Sequence, residues 1–381
     1  MTAFQCPSAP GAGDPQPNRE LLELAPFSQG RSEIAGIQRP IKLSANESHH
    51  GPSPAAIEAY RLAALSLSAY PDGSQLLLRT AIAEVFGLPV EQLVCGNGSD
   101  ELLSLLIRAY LRPGDEVIFS RYSFAMAMVH ATARGATLRI ADEPGLRPDV
   151  DSILAAVTTK TRMVVLASPN NPVGQYLRRD ELWDLHRQLP SHVVLAIDGA
   201  YADYVMASDY ESGAALVTAS QNVVMTRTFS KLYGLAATRI GWCFAPPAIV
   251  DSIQRIRTPF NASTGSMAAA AAAVRDIAWT AHVREYNHRE LESIAARVAT
   301  LLRGVEFIPS VANFYLLRFT DGVHTAAGAA AALERQGIIP RPVGAGGPDN
   351  CLRISVGLAG ENDAVLSVLS DYVSRPAPVM V

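Results

Sequence analysis

Lysine is almost missing from this chain: of its 32 lysine and arginine residues only Lys42, Lys160 and Lys231 are lysines. Positive charge is therefore carried by guanidinium groups, which makes Lys231, behind an apolar run, conspicuous. An amine that is partly desolvated can lose its proton near neutral pH and attack a carbonyl, and a guanidinium cannot. Cysteine is scarce too. Cys6, Cys95, Cys243 and Cys351 show no paired spacing, which excludes a zinc ribbon or a disulfide scaffold and predicts reduced thiols. No long uncharged apolar run exists; the stretch Ala268 to Ala273 is short and bounded by Met267 and Arg275, so no bilayer span is expected. There is no surplus of positive charge either, since the net charge is −4, and bulk attraction to nucleic acid or an acidic membrane is excluded. Small-molecule partners remain.

With 381 residues, 49% of them hydrophobic, the chain can bury more than one ordinary core. Between about Leu93 and Phe244, β-rich runs such as Glu116 to Phe119, Arg162 to Leu166, His192 to Ile197, Asn222 to Met225 and Ile240 to Phe244 alternate with amphipathic helical stretches. That alternation predicts a mainly parallel sheet covered on both faces, with ligands bound beyond the carboxyl ends of its strands. Past Pro259 the pattern changes to one helical stretch from Ser266 to about Arg303, strand-like pieces from Phe307 to Phe319, a helix near Ala326 to Gln336, and a last strand from Cys351 to Val356. A large α/β domain at 52–260 and a smaller α+β domain at 261–381 follow. Residues 19–51 are expected to form an arm packing with the small domain. Residues 1–18, rich in Pro, Gly and Ala and without a signal-type apolar run, are expected to be a flexible tail of a cytoplasmic protein.

The chemistry gathers at strand ends. Lys231 stands in Thr228-Phe229-Ser230-Lys231-Leu232-Tyr233-Gly234, just after an apolar run, with Arg239 eight positions on. Gly96-Asn97-Gly98-Ser99-Asp100 passes from a strand into a helix, leaving free backbone N–H groups and a positive dipole end for an anion; Ser99 or Asp100 could instead be a plain N-cap. Asn171, in Ser168-Pro169-Asn170-Asn171-Pro172, sits on a rigid turn where its amide can donate to a ligand. Asp198 ends the run His192 to Ile197, apolar from Val193 on, and precedes Tyr201; buried there, it needs a cation or a capping role. A lysine, a buried carboxylate, an asparagine, a tyrosine and a phosphate-cradling helix start together fit pyridoxal 5′-phosphate. Lys231 would form the Schiff base, Asp198 would keep the ring nitrogen protonated, and Asn171 and Tyr201 would bond the ring hydroxyl. Ser99, Asp100, Thr228, Ser230 and Arg239 would hold the phosphate.

These segments, with Lys42 to Glu47, Gly51-Pro52-Ser53-Pro54, Tyr70-Pro71-Asp72-Gly73, Asn313-Phe314 and Leu352 to Gly357, resemble the fold-type I pyridoxal-phosphate enzymes of the class I/II aminotransferase family. Within it the likeness is to the histidinol-phosphate aminotransferases. The resemblance implies a seven-stranded, mainly parallel sheet in the large domain and a homodimer in which Tyr70 reaches the partner's cofactor phosphate. It implies that Arg353, Arg341, Asn46 and Asn171 bind substrate, that Phe124 stacks on the cofactor with Tyr122 as the fallback, and that no metal is needed. The implied activity is ping-pong transfer of an amino group to 2-oxoglutarate, with histidinol phosphate as donor. The alternatives are an aromatic or other specialised amino acid as donor, or decarboxylation of a phosphorylated amino acid. Two departures border the expected substrate pocket: Ser48-His49-His50 where the family runs Asn-Pro and an apolar residue, and Ala127 where it often has tyrosine. His49 and His50 are read as exposed loop residues rather than metal ligands.

Overall fold

The structure is a computed structural model that describes residues 15, 17–24, 31–123, 125–344 and 347–374. Most of the expected N-terminal tail therefore lies outside the described residues, as does Phe124. The strands are β1 (Ile41–Lys42), β2 (Leu93–Gly96), β3 (Glu116–Ser120), β4 (Thr137–Ala141), β5 (Thr161–Ala167), β6 (Val194–Asp198), β7 (Val223–Thr228), β8 (Gly241–Phe244), β9 (Val305–Ile308), β10 (Phe314–Phe319), β11 (Ile338–Ile339), β12 (Arg341–Pro342) and β13 (Cys351–Ser355). The helices are α1 (Pro54–Ala63), α2 (Leu76–Phe86), α3 (Ser99–Tyr110), α4 (Ala125–Ala133), α5 (Val150–Ala155), α6 (Arg179–Gln188), α7 (Ala214–Ala219), α8 (Pro247–Ile256), α9 (Thr264–Arg275), α10 (Ile277–Leu301), α11 (Ala326–Arg335) and α12 (Ala359–Val373).

Seven strands form one sheet in the order β2-β8-β7-β6-β5-β3-β4. Only β8 runs against its neighbours. The strand period of two explains why the sheet is buried on both faces. On β6, Leu195 and Ile197 enter one apolar cluster while Val194 and Ala196 enter the other, and β5 and β7 divide in the same way. Leu78, Ala81 and Ile82 of α2 and Leu182 and Leu185 of α6 cover the first face; Leu102, Leu103 and Leu106 of α3 with Ile249 and Ile253 of α8 cover the second.

A four-stranded sheet, β12-β13-β10-β9, has its own core with α10, α11 and α12. The N-terminal segment is built into it. β1 pairs in parallel with β11, and the Ser355 amide donates to the Leu43 carbonyl at 2.8 Å. The single helical stretch expected from Ser266 to Arg303 is two helices, because Asp276 leaves the helical conformation and caps the Trp279 amide with its side chain. The strand β4 carried no clear sequence signal: it is an edge strand, mostly exposed along its length, and lacks an apolar run.

Candidate active site

The carboxyl ends of β2, β5, β6 and β7 and the amino end of α3 converge on one side of the large sheet. Three residues past the end of β7, the Lys231 Nζ donates to the Ala45 carbonyl at 3.3 Å and lies 5.6 Å from the centre of the Tyr201 ring. The other two lysines are elsewhere. Lys42 is paired with Glu47 at 2.9 Å and Lys160 is exposed.

Around Lys231 the hydroxyls form a short chain. The Thr228 hydroxyl donates to Ser230 Oγ at 3.0 Å, the Ser230 amide donates to Thr228 Oγ1 at 3.1 Å, and the Arg239 guanidinium donates to Ser230 Oγ at 3.0 Å. Opposite them α3 begins without a side-chain cap, so neither Ser99 nor Asp100 serves as an N-cap and the first amides of the helix stay free for an anion. Gly98 is essential to this approach. It has φ +84°, and a Cβ there would stand 2.6 Å from Arg239 Nη2. Gly241 on β8 lets the backbone close in from behind, since a Cβ on it would meet Ser99 N at 2.6 Å. Asp100 places Oδ1 in a buried position without a hydrogen-bond partner, and its Oδ2 is 3.4 Å from His130 Nε2.

Asp198 closes β6 and is 8% exposed. Its Oδ1 accepts from the Ala200 amide and the Thr226 hydroxyl, each at 3.2 Å, so it does cap its own turn. Those two donors do not neutralise it. Burial pushes the carboxyl up to about 6, and the nearby Asp100 charge adds to the rise while Lys231 opposes it. A carboxylate held this way gains from a cationic N–H brought against it.

Tyr201 is buried, with its hydroxyl accepting from Asn46 Nδ2 at 2.9 Å. Asn46 adopts φ +55° and is fixed by the Ser355 hydroxyl on β13 and by the Asn313 amide. Beside it Arg353, 9% exposed, donates to Asn171 Oδ1 at 2.5 Å and to the Ser44 carbonyl at 2.6 Å. Its Nε is buried without a partner, and burial lowers its pKa. Arg341 stands directly opposite Arg353 in the β12–β13 ladder. Residues so paired project from the same face. Neither arginine belongs to an ion pair among the described residues.

Tyr70 is not in this cluster: it is 82% exposed and stacks on Phe260 with ring centres 4.7 Å apart. Phe124 lies outside the described residues; Tyr122, the fallback ring, packs against Val173, Ile308, Leu316 and Cys351. His49 and His50 are not the exposed loop residues expected. Both are half-buried: His49 Nδ1 sits 2.7 Å from Glu361 Oε2, and His50 meets the Tyr286 ring edge-on at 4.4 Å. No group of three or more His, Cys, Asp or Glu is placed to hold a metal ion among the described residues. Sequence reasoning missed Glu101, whose Oε2 accepts from the Asn97 amide at 2.5 Å and from Asn261 Nδ2 at 2.7 Å, bracing the loop ahead of α3. It also missed Glu143, which braces the Asn170 turn. Only the placement of Glu101 one turn into a helix could have hinted at the first.

The family described as aminotransferase class I and II matches residues 38–370. A histidinol-phosphate aminotransferase of Rhodospirillum centenum is 45% identical over 359 residues, spanning 94% of this chain and 99% of that protein. One from Rhodopseudomonas palustris strain BisA53 is 44% identical over 364 residues, spanning 95% and 99%. Among solved structures, the histidinol-phosphate aminotransferase of Sinorhizobium meliloti in complex with pyridoxal 5′-phosphate superposes with a TM-score of 0.83 at 28% identity, covering 94% of this chain and 97% of that one.

Proposed function

Given that this chain belongs to the class I and II aminotransferases and is a pyridoxal-phosphate-dependent enzyme, we propose that it moves the amino group of histidinol phosphate to 2-oxoglutarate. The observation that carries the donor is the pair Arg341 and Arg353. Two arginines paired across adjacent strands, neither with an ion-pair partner among the described residues, repel one another unless an anion joins them, and a phosphate dianion profits from two such donors more than a carboxylate does. The name that both relatives carry, histidinol-phosphate aminotransferase, supports the same reading.

The residues present fit the cofactor. The uncapped amides of α3, Ser99, the Thr228 and Ser230 hydroxyls and Arg239 would hold its phosphate, in the space that the missing Cβ of Gly98 leaves beside Arg239. Asp198 would face the ring nitrogen, and Asn171 and Tyr201 the ring hydroxyl. When bound, pyridoxal 5′-phosphate supplies the aldehyde that takes up the amino group and the ring that receives the electron pair of the broken C–H bond. The rest falls to the chain. Lys231 Nζ takes the α-proton of the donor as general base. Asp198, costly to ionise alone, keeps a proton on the group it faces. Tyr201, held by Asn46, keeps its hydroxyl at a fixed place, and Arg353 orients the substrate anion in both half-reactions.

In this reading the large cofactor-binding domain spans 52–260 and takes in α9 as well, whose Met267, Ala269, Ala270 and Val274 pack in the core of its sheet; the remainder of 261–381 is the small domain, and 19–51 form the arm that β1 ties to β11. The chain works as a homodimer. Leu65 and Leu67, each 85% exposed, and Ile57, Leu77, Tyr70 and Phe260 are exposed apolar side chains that a partner copy would cover, bringing Tyr70 to the partner's phosphate site.

The test is a single half-reaction. The cofactor-loaded protein mixed with histidinol phosphate alone should lose its visible absorbance and regain it with 2-oxoglutarate. No change with histidinol phosphate but a full change with an aromatic amino acid would replace the donor. Release of carbon dioxide would replace the reaction.

A further inference from the structure

Glu143 is a buried acid that the reaction above leaves unused. It follows β4 by two residues, is 5% exposed, and forms no ion pair among the described residues; the neighbouring Arg121 is bound to Asp142. A carboxylate in such a place is costly, and burial pushes this one up to about 8 in spite of the donors around it. Its two oxygens serve two different segments. Oε1 accepts from the Tyr122 amide at 3.2 Å, just past β3, and Oε2 accepts from Asn170 Nδ2 at 2.9 Å, in the turn past β5. β4, β3 and β5 are neighbours in the sheet, so Glu143 ties together the carboxyl ends of three adjacent strands.

Asn170 passes the constraint on. It is fully buried, its Oδ1 accepts from the Gln175 amide at 2.9 Å, its own amide donates to the Gln175 carbonyl at 2.8 Å, and its carbonyl accepts from Gly174 at 2.8 Å. The turn from 170 to 175 is thus closed on one residue, whose side chain is held by Glu143. Asn171 is the next residue. Its Oδ1 is taken by Arg353, which leaves Nδ2 as the amide group available to a ligand.

We propose that Glu143 is a positioning residue for the reaction: it fixes Asn171 through the Asn170 turn and, with its other oxygen, fixes the backbone at Tyr122, whose ring packs on Val173 of the same turn. This rests on the reading that Asn171 bonds the ring hydroxyl of the cofactor. A donor there stabilises the deprotonated hydroxyl, so loosening it raises the pKa of the visible absorbance transition of the cofactor bound at Lys231. The proposed phosphate contacts lie at the end of β7, in the Ser230 to Arg239 segment after it and at the start of α3, and are untouched.

The experiment compares Asn171→Ala, Glu143→Ala, Glu143→Gln and the double variant Glu143→Ala with Asn171→Ala in the cofactor-loaded protein. Asn171→Ala should raise the transition. Glu143→Ala should raise it in the same direction and lower kcat about tenfold, roughly the loss of one hydrogen bond, with cofactor affinity within about threefold. Glu143→Gln keeps one acceptor and should fall between. The double variant should shift no further than Asn171→Ala, since both changes act through one contact. Additive shifts, or no shift in Glu143→Ala while Asn171→Ala shifts, overturn the proposal. If Asn171→Ala itself leaves the transition unmoved, the reading of Asn171 fails. Glu143 is then judged by amide hydrogen exchange at Tyr122, Gly174 and Gln175, which should accelerate about tenfold in Glu143→Ala. Unchanged exchange overturns it.

Discussion

Replacing Arg341 by alanine separates a phosphorylated donor from its rivals. Arg341 is half-buried and sits opposite the nearly buried Arg353 across β12 and β13. A hydrogen bond to a charged group contributes about 1.5–3 kcal/mol, and the partial exposure of Arg341 puts its share near the lower end, about 2 kcal/mol. That is about 30-fold in kcat/KM for histidinol phosphate. Arg353 alone keeps the Ser44 and Asn171 contacts that orient it, so 2-oxoglutarate should lose about threefold or less. Removing Arg341 also relieves the repulsion on Arg353, which lowers the loss for a carboxylate further. The assay is stopped-flow absorbance of each half-reaction, donor alone and then acceptor alone, so that the two substrates are read apart. Equal losses for both would show that Arg341 supports packing and does not read phosphate. A loss below about threefold for histidinol phosphate would refute the two-arginine argument itself.

Lys231→Ala should fold and keep cofactor without a covalent bond, yet turn over roughly 10⁴-fold more slowly; borohydride should label Lys231 in the unaltered protein, and label on Lys42 or Lys160 would overturn the assignment. For Asp198 the folded value is raised from 3.8 to about 6, so the cost of its ionisation is absent below the unfolded carboxylate range and builds as pH rises from about 4 to about 6. Urea unfolding of the cofactor-free protein should therefore show Asp198→Asn gaining on the unaltered chain across that window, and a gap that does not change with pH refutes the shift. The same variant should slow proton abstraction far more than it weakens donor binding. Gly241→Ala sets a Cβ 2.6 Å from Ser99 N, 2.7 Å from Gly98 C and 2.8 Å from Arg227 O, all backbone atoms that cannot swing aside. It should cost about 1–3 kcal/mol of stability and weaken cofactor binding, and unchanged affinity would show that the loop ahead of α3 tolerates displacement.

The parts of the site that were legible are those tied to local pattern. Asp198, Asn171, Ser99 and Lys231 each follow an apolar strand, and in a parallel sheet the strand end fixes which side of the molecule they reach. The core of β5, β6 and β7 was readable for the same reason, since strands buried on both faces are continuous apolar runs. What was not legible depends on residues far apart in the chain. Nothing local says that the carbonyl of Ser44 will orient Arg353, that Glu101 and Asn261 will share a bond, or that Glu143 will lie under Asn170. His49 and His50 were misjudged on the same ground: their polarity suggested a surface loop, while Glu361 and Tyr286, more than two hundred residues on, supply the cover. The break at Asp276 was hidden because alanine and leucine keep helical spacing on both sides of it.

The pairing of β1 with β11 sets a timetable for the working enzyme. Asn46 and Lys231 meet through Ala45, and the segment from Ile41 to Asn46 is also seated on β11, β13 and Asn313, all of which follow residue 312. During synthesis at about 5–20 residues per second the large sheet can close while Asn46 still waits for Asn313 and Ser355. A nascent chain stopped before β13 would carry Lys231 in a finished sheet yet lack Arg353 and the seat of Asn46. Contacts spanning some three hundred residues, from Ile41 to Ile338 and from Asn46 to Ser355, make that closure a slow step of folding.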